Sequence, residues 1–481
     1  MSRKKLFLTN ILVYGFSGVI GKIIPIIMLP IIAKLIPDPS VYGVSDVLQV
    51  LATFGATIAG MGMYDAVFRL YFDREDQIYR KNICSTALGV VLSSGIVVCA
   101  LIIILRKPIS NIFFGTDEYA FWVLLSAIHV LLSAIGTVIK APTRIQNKRK
   151  VYFFINLLNP VVNYSVSIPI ILFIDPLLGL VFGTFSTSVV DLVIFWFLNK
   201  NWFNEKKSIE IAKSLAKFGI PLIPNILVLW IFHSFDRIMI SKIMGPSFAG
   251  IYAVGAKIAQ MSQLIYIAYS GGWQYFAFST MRDKDYKQMM SKIWRLLAAA
   301  IFSFWALITP FSRIIFELFF EGDYINGYQV FPYLLLSPLL LMLYTVITTQ
   351  FHVMKKTIWS TFILTIGSIT NIILNFMLIP VLGIKGAGIS TMLGYCVSVM
   401  IAGIIIAKYR RMDFRKATIW NILLFSIFVF FSMLNENGGF RNCCISAIFL
   451  VLTFLIHKKE ILELITKVLR KETIVREKEG G

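Results

Sequence analysis

Five charged side chains stand where charge is expensive: Lys22, Asp46, Asp236, Arg237 and Lys257 all lie inside long apolar runs. An isolated charge at mid-bilayer costs roughly 2.5–3.5 kcal/mol even on a lenient insertion scale, so such residues line a wet cavity or pair with one another. Three cations against two carboxylates leave a positive excess, which suits an anionic ligand better than a cationic one. Two readings stay open for Asp46 and Asp236. They are ion-pair partners, as Asp46 with Lys257, or they bind a coupling proton or sodium ion. Asp236 and Arg237 are successive helical residues about 100° apart and do not face one another. Lys22 shares a small, polar helix face with Tyr14, Ser17, Gly18 and Gly21, and Pro25 and Pro30 interrupt the backbone ladder beyond it. Lys34 and Lys242, near outer helix ends, can snorkel. Asp65 and Arg69 read as an interfacial i,i+4 pair, and Asp191 has no evident partner.

The elements that hold these residues are apolar segments at 8–36, 42–66, 83–105, 119–140, 151–174, 177–198, 219–244, 248–276, 293–312, 329–354, 356–381, 386–407, 418–433 and 443–457. Each of the first twelve is long enough to cross a hydrocarbon core of about 30 Å. The chain therefore reads as an all-α polytopic membrane protein with about 14 transmembrane helices. Lys and Arg alternate between linkers. Of 46 such residues, only Arg106, Lys107, Arg313, Lys385 and Arg441 fall in outward linkers, which places both termini in the cytoplasm. The stretch 209–218 is amphipathic and is expected along the inner surface.

Composition excludes several classes. The chain is 57% hydrophobic with only 15% charged residues, against about a quarter in soluble proteins. The net charge of +21 reflects a basic inner surface beside anionic lipid and not a nucleic-acid partner. Five cysteines and four histidines show no metal-ligand spacing. No phosphate-cradling loop, nucleophile elbow or paired carboxylates occur, so neither catalysis nor a cofactor is expected. A polymerase or glycosyltransferase would need acidic residues in a long outward loop, and 313–328 offers Glu317, Glu321 and Asp323.

A faint repeat runs through the chain. Ile32-Ala33-Lys34-Leu35-Ile36 leading to Gly43 echoes Ile240-Ser241-Lys242-Ile243-Met244 leading to Gly250. Leu178-Gly179-Leu180 likewise echoes Leu382-Gly383-Ile384. An even number of helices separates the echoes, so the halves are parallel, related by a pseudo-twofold axis along the membrane normal. The expected organisation is an N-terminal lobe at 1–200, an amphipathic linker at 201–218, a C-terminal lobe at 219–410, two further helices at 411–457 and a charged cytoplasmic tail at 458–481.

Asp236-Arg237-Ile238-Met239-Ile240, continuing through Gly250-Ile251-Tyr252 to Lys257, resembles the start of the second lobe in bacterial polysaccharide flippases. These are the O-antigen and capsule repeat-unit exporters of the multidrug/oligosaccharidyl-lipid/polysaccharide superfamily. The run 371–391 is similar to that superfamily's helix 11–12 junction. The resemblance implies two six-helix lobes that alternate between inward- and outward-open states in the bacterial cytoplasmic membrane. It implies an undecaprenyl-pyrophosphate-linked oligosaccharide as substrate, with Lys22, Arg237 and Lys257 holding the pyrophosphate. Its partners would be that lipid, the surrounding membrane lipids, and a polysaccharide polymerase or glycosyltransferases. A lipid II-type flippase and a cation-coupled multidrug exporter are the alternatives. The exporter branch uses carboxylates in the first lobe, where helix 1 here carries Lys22.

Overall fold

The computed structural model describes residues 21–409, 412 and 441–458. The expected helix at 418–433, the tail, and the polar face at Tyr14, Ser17 and Gly18 lie outside the described residues. Helices follow the apolar segments closely: α1 (21–35), α2 (Pro39–Gly60), α3 (Met63–Tyr71), α4 (Gln77–Ile104), α5 (Arg106–Phe114), α6 (Ala120–Ile139), α7 (Ala141–Ile145), α8 (Arg149–Phe173) and α9 (Pro176–Asn199). There follow α10 (Ile209–Gly219), α11 (Ile223–Met244), α12 (Pro246–Ala259), α13 (Met261–Ser279), α14 (Tyr286–Ile308), α15 (Ser312–Phe319), α16 (Phe331–Val353), α17 (Ile358–Leu382), α18 (Ile384–Lys408) and α19 (441–458). No strand occurs among the described residues, and 11 helices there are long and apolar enough to cross a membrane, against the fourteen expected from the whole sequence. Many of their large side chains point outward, as Phe173, Val381 and Leu318 do, because lipid replaces water around them.

Local chemistry explains the sharp turns. Asp38 caps α2 by accepting from the Ser40 amide at 2.8 Å, and Pro39 occupies the first turn, where its missing N–H costs nothing. Asp175 before Pro176 does the same for α9, accepting from the Leu178 amide at 2.7 Å.

In the first half α2, α4, α6 and α9 pack together, and α8 lies on α9; in the second, α16, α17 and α18 form the centre, with α11 on α17. The halves meet mainly where α2 crosses α11 and α12. The repeat is built into that crossing. A Cβ on Gly43 would lie 1.9 Å from the Pro246 carbonyl oxygen, and one on Gly250 would lie 1.9 Å from that of Pro39. The two glycines that echo one another in sequence are thus the reciprocal contact between the halves.

The linker α10 is amphipathic as expected and stays with the first half. The Glu205 amide donates to Ser85 Oγ at 3.2 Å, the Ser208 amide donates to Thr86 Oγ1 at 3.1 Å, and Leu215 is buried. At the inner end Arg69 pairs with Asp73 and not with Asp65, which lies instead within electrostatic reach of Arg144.

Candidate functional site

Arg237 comes from α11 and Asp46 from α2, so their contact spans the two halves. Nε lies 3.3 Å from Asp46 Oδ2, and both side chains are largely buried, at 14% and 6% exposure. This corrects two expectations: Asp46 takes Arg237 and not Lys257 as its partner, and Arg237 is neutralised in this conformation. The reason is geometric. The Gly43–Gly250 crossing brings α2 against the face of α11 one turn inward of Ser241, where Arg237 projects.

Lys257 lies on α12 behind that pair. Its Nζ donates to the Tyr42 hydroxyl at 2.5 Å and sits 4.8 Å from the centre of the Tyr42 ring. Tyr42 meets Tyr324 edge to face, and the Tyr324 hydroxyl donates to the Ile36 carbonyl at 3.0 Å. Lys257 therefore belongs to the contact between halves and not to the wall of the hollow. Further out, Lys34 reaches Glu321 at 3.3 Å, and Arg313 pairs with Glu317 at 2.8 Å. Two of the three acidic residues in the long outward loop are thereby matched to cations.

Lys22 behaves differently. Its ammonium is half-buried and donates to Gln263 Oε1 on α13 at 2.8 Å, with no carboxylate partner among the described residues. Gln263 lines a cavity of about 620 Å³ together with His233, Arg237, Gln260, Tyr266 and Tyr395. Of the three cations singled out in sequence, Arg237 lines this hollow directly and Lys22 reaches its rim through Gln263. The amide and aromatic lining was missed in the sequence because one Gln or Tyr in an apolar run carries no signal until the fold gathers several.

Asp236, the preceding residue on α11, lines the same cavity as Arg237, together with Tyr252 and Thr391. It makes no ion pair among the described residues. Four neutral groups surround it: Thr391 Oγ1 at 2.5 Å and the Tyr252 hydroxyl at 2.7 Å donate to Oδ2, while Asn375 Nδ2 at 2.6 Å and Asn371 Nδ2 at 3.4 Å donate to Oδ1. Asn375 Oδ1 is buried without a hydrogen-bond partner. Gly367 and Gly394 let α17 and α18 close up here, since a Cβ on Gly367 would lie 1.9 Å from Ser398 Oγ. The Asn371–Asn375 pair, one turn apart in an apolar run, was the signal available in the sequence. In the first half Asp191 gains Asn159 and Lys140 as neighbours.

The profile of the polysaccharide biosynthesis protein family matches residues 31–326. The chain belongs to that family. No curated protein matches its sequence. Among solved structures, the lipid II flippase MurJ in an inward closed conformation aligns with a TM-score of 0.70 at 13% identity, over 95% of this chain and 99% of that one. An inward-facing multidrug resistance MATE family transporter of the MOP superfamily aligns at 0.61 and 15% identity, over 83% and 94%. An outward-facing structure of the same description aligns at 0.53 and 15% identity, over 87% and 96%. The family member described here thus has the MurJ and MATE fold.

Proposed function

We propose that this protein flips an undecaprenyl-pyrophosphate-linked oligosaccharide from the inner to the outer leaflet of the bacterial cytoplasmic membrane by alternating access. The reading rests above all on Lys22: a half-buried ammonium with no carboxylate partner among the described residues, beside a cavity whose wall holds Arg237 as well as Asp236. Three cations against Asp46 and Asp236 leave positive charge to attract a diphosphate, and Arg237 becomes available to it whenever Asp46 withdraws. Lys257 serves the outer closure. The polyprenyl tail stays in lipid. A headgroup with two negative charges gains about 4–5 kcal/mol moving outward across an inside-negative potential of 100 mV, enough to bias transfer without nucleotide hydrolysis. A lipid II-type substrate shares this logic. A cationic drug does not, because Lys22 would repel it.

Asp236 supports a second component of the cycle. Among the described residues it is a carboxylate without an ion-pair partner, surrounded by Asn371, Asn375, Thr391 and Tyr252, beside an unpartnered amide oxygen. Rotating either amide turns its oxygen inward, and the cluster then offers hard oxygen donors of the kind alkali cations take. The residues fit a coupling sodium ion or, equally, a proton on Asp236. Asp236→Asn keeps the shape and removes the charge. Transport by this variant is expected to lose its dependence on the sodium or proton gradient, measured in vesicles with each gradient imposed separately. Unchanged gradient dependence removes Asp236 from coupling.

The functional assignment is tested by complementing a flippase-null strain and identifying which lipid-linked glycan ceases to accumulate. Lys22→Ala is expected to weaken polyprenyl-diphosphate binding about tenfold, a loss of about 1.4 kcal/mol, with Lys22→Arg retaining most of it. Equal binding by Lys22→Ala and the wild type takes Lys22 out of the site.

A further inference from the structure

The repeat predicts a second pocket. The register that pairs Gly43 with Gly250 pairs Ser45 with Tyr252 and Gln49 with Ala256, two residues that line the charged cavity of the second half. Ser45 and Gln49 in turn line a cavity of about 700 Å³ in the first half, formed by α2, α6 and α9. Helices α12, α16 and α18 form the corresponding wall around the charged cavity. One architectural hollow therefore occurs twice.

Its chemistry differs between the copies. The echo that pairs Lys34 with Lys242 sets Met28 and Leu29 at the positions of Asp236 and Arg237. The first-half pocket carries neither charge, and its rings are His129, Phe182 and Phe185. Phe182 and Phe185 have centroids 6.0 Å apart, and His129 meets Phe185 at 6.5 Å while its Nε2 lies 2.9 Å from Ser188 Oγ. Gln49 and Ser45, one helical turn apart, have no side-chain hydrogen bond among the described residues. A primary amide and a hydroxyl left unpaired at membrane depth cost free energy unless water or a ligand satisfies them.

We propose that this pocket holds sugar residues of the lipid-linked glycan while the diphosphate stays with Lys22 and Arg237. The inference rests on the flippase reading and adds where the glycan is recognised. Pyranose rings present C–H faces that stack on Phe182 and Phe185, and hydroxyls that both donate to and accept from Gln49 and Ser45. A neutral pocket gives a phosphate nothing, so the two halves divide the substrate by chemistry. The charged half would accept any polyprenyl diphosphate, and the neutral half would select among glycans.

The test uses the purified full chain in detergent and two probes. One is sugar-free undecaprenyl diphosphate. The other is the polyprenyl-diphosphate glycan that the host accumulates when the gene is deleted. The wild type is expected to bind the glycan-bearing lipid at least tenfold tighter. Gln49→Leu and Phe185→Leu should each erase most of that margin while leaving sugar-free lipid within twofold, which also certifies their folding. If Phe185→Leu loses both probes, Gln49→Leu decides. Lys22→Ala should weaken both probes alike. Equal wild-type affinity for the two probes, or a preference that survives Gln49→Leu, overturns the pocket assignment and leaves the flippase reading standing. Failure of the wild type to bind either probe overturns both.

Discussion

Alanine at Gly43 or Gly250 is expected to reduce export roughly ten- to a hundredfold with normal amounts of protein in the membrane. Each added methyl carbon would sit 1.9 Å from a backbone carbonyl oxygen of the opposing half, where contact distances between carbon and oxygen are about 3.3 Å or more. A flexible side chain could rotate away, but the carbonyls of Pro39 and Pro246 belong to the backbone of the first turns of α2 and α12. The crossing must therefore open by roughly 1–1.5 Å. The penalty falls on the outward-closed state alone, because the helices are free to part when the outside opens. Overpacking of this kind costs about 1–3 kcal/mol or more, which moves a two-state balance by one to two orders of magnitude. Cysteines at Lys34 and Glu321, whose native side chains meet at 3.3 Å, report closure by cross-linking in a background lacking the native cysteines. Gly43→Ala should reduce that cross-link sharply, and the pseudo-twofold relation requires Gly250→Ala to act in the same direction. Unimpaired cross-linking in both variants would show that the crossing does not set the closed state.

The same crossing marks how far the sequence was legible. The all-helical, membrane-spanning class and the two similar halves follow from hydropathy and repeat, because a bilayer leaves helices few alternatives. The identity of the charged residues was equally plain, since each violates the apolar pattern around it. Their partners were not. Asp46 meets Arg237 only after two distant helices cross at a particular angle, and nothing local to either residue prefers it over Lys257. Asp236 illustrates the point from the other side. The turn of about 100° between successive residues takes the Arg237 guanidinium to Asp46 in the contact between halves and the Asp236 carboxylate to a cage of amides and hydroxyls, whose members no local pattern names. The repeat glycines looked like a register mark and proved to be the contact itself.

The Asp46–Arg237 pair yields the second large effect. On the proposed function, a ligand diphosphate and the Asp46 carboxylate would compete for one guanidinium, and occupancy of the cavity would loosen a tie between the halves. Arg237→Ala is expected to abolish export for two separable reasons. It removes a cation from the cavity wall, and it leaves Asp46 buried without a partner, at a cost of about 3–5 kcal/mol borne by the closed state. Asp46→Asn separates them: with the competitor neutral, Arg237 should bind undecaprenyl diphosphate about tenfold tighter, a gain of about 1.4 kcal/mol. Export should nevertheless fall, because the substrate is held more firmly and the outer contact is weaker. In the double variant, Asp46→Asn with Arg237→Ala, no buried charge is stranded, so the Lys34–Glu321 cysteine cross-link should recover toward the wild-type level. Binding and export should not recover, since the cation is gone. Recovery of export along with closure would make Arg237 a tie between the halves and nothing more, and the diphosphate would then have to be held by Lys22 without it.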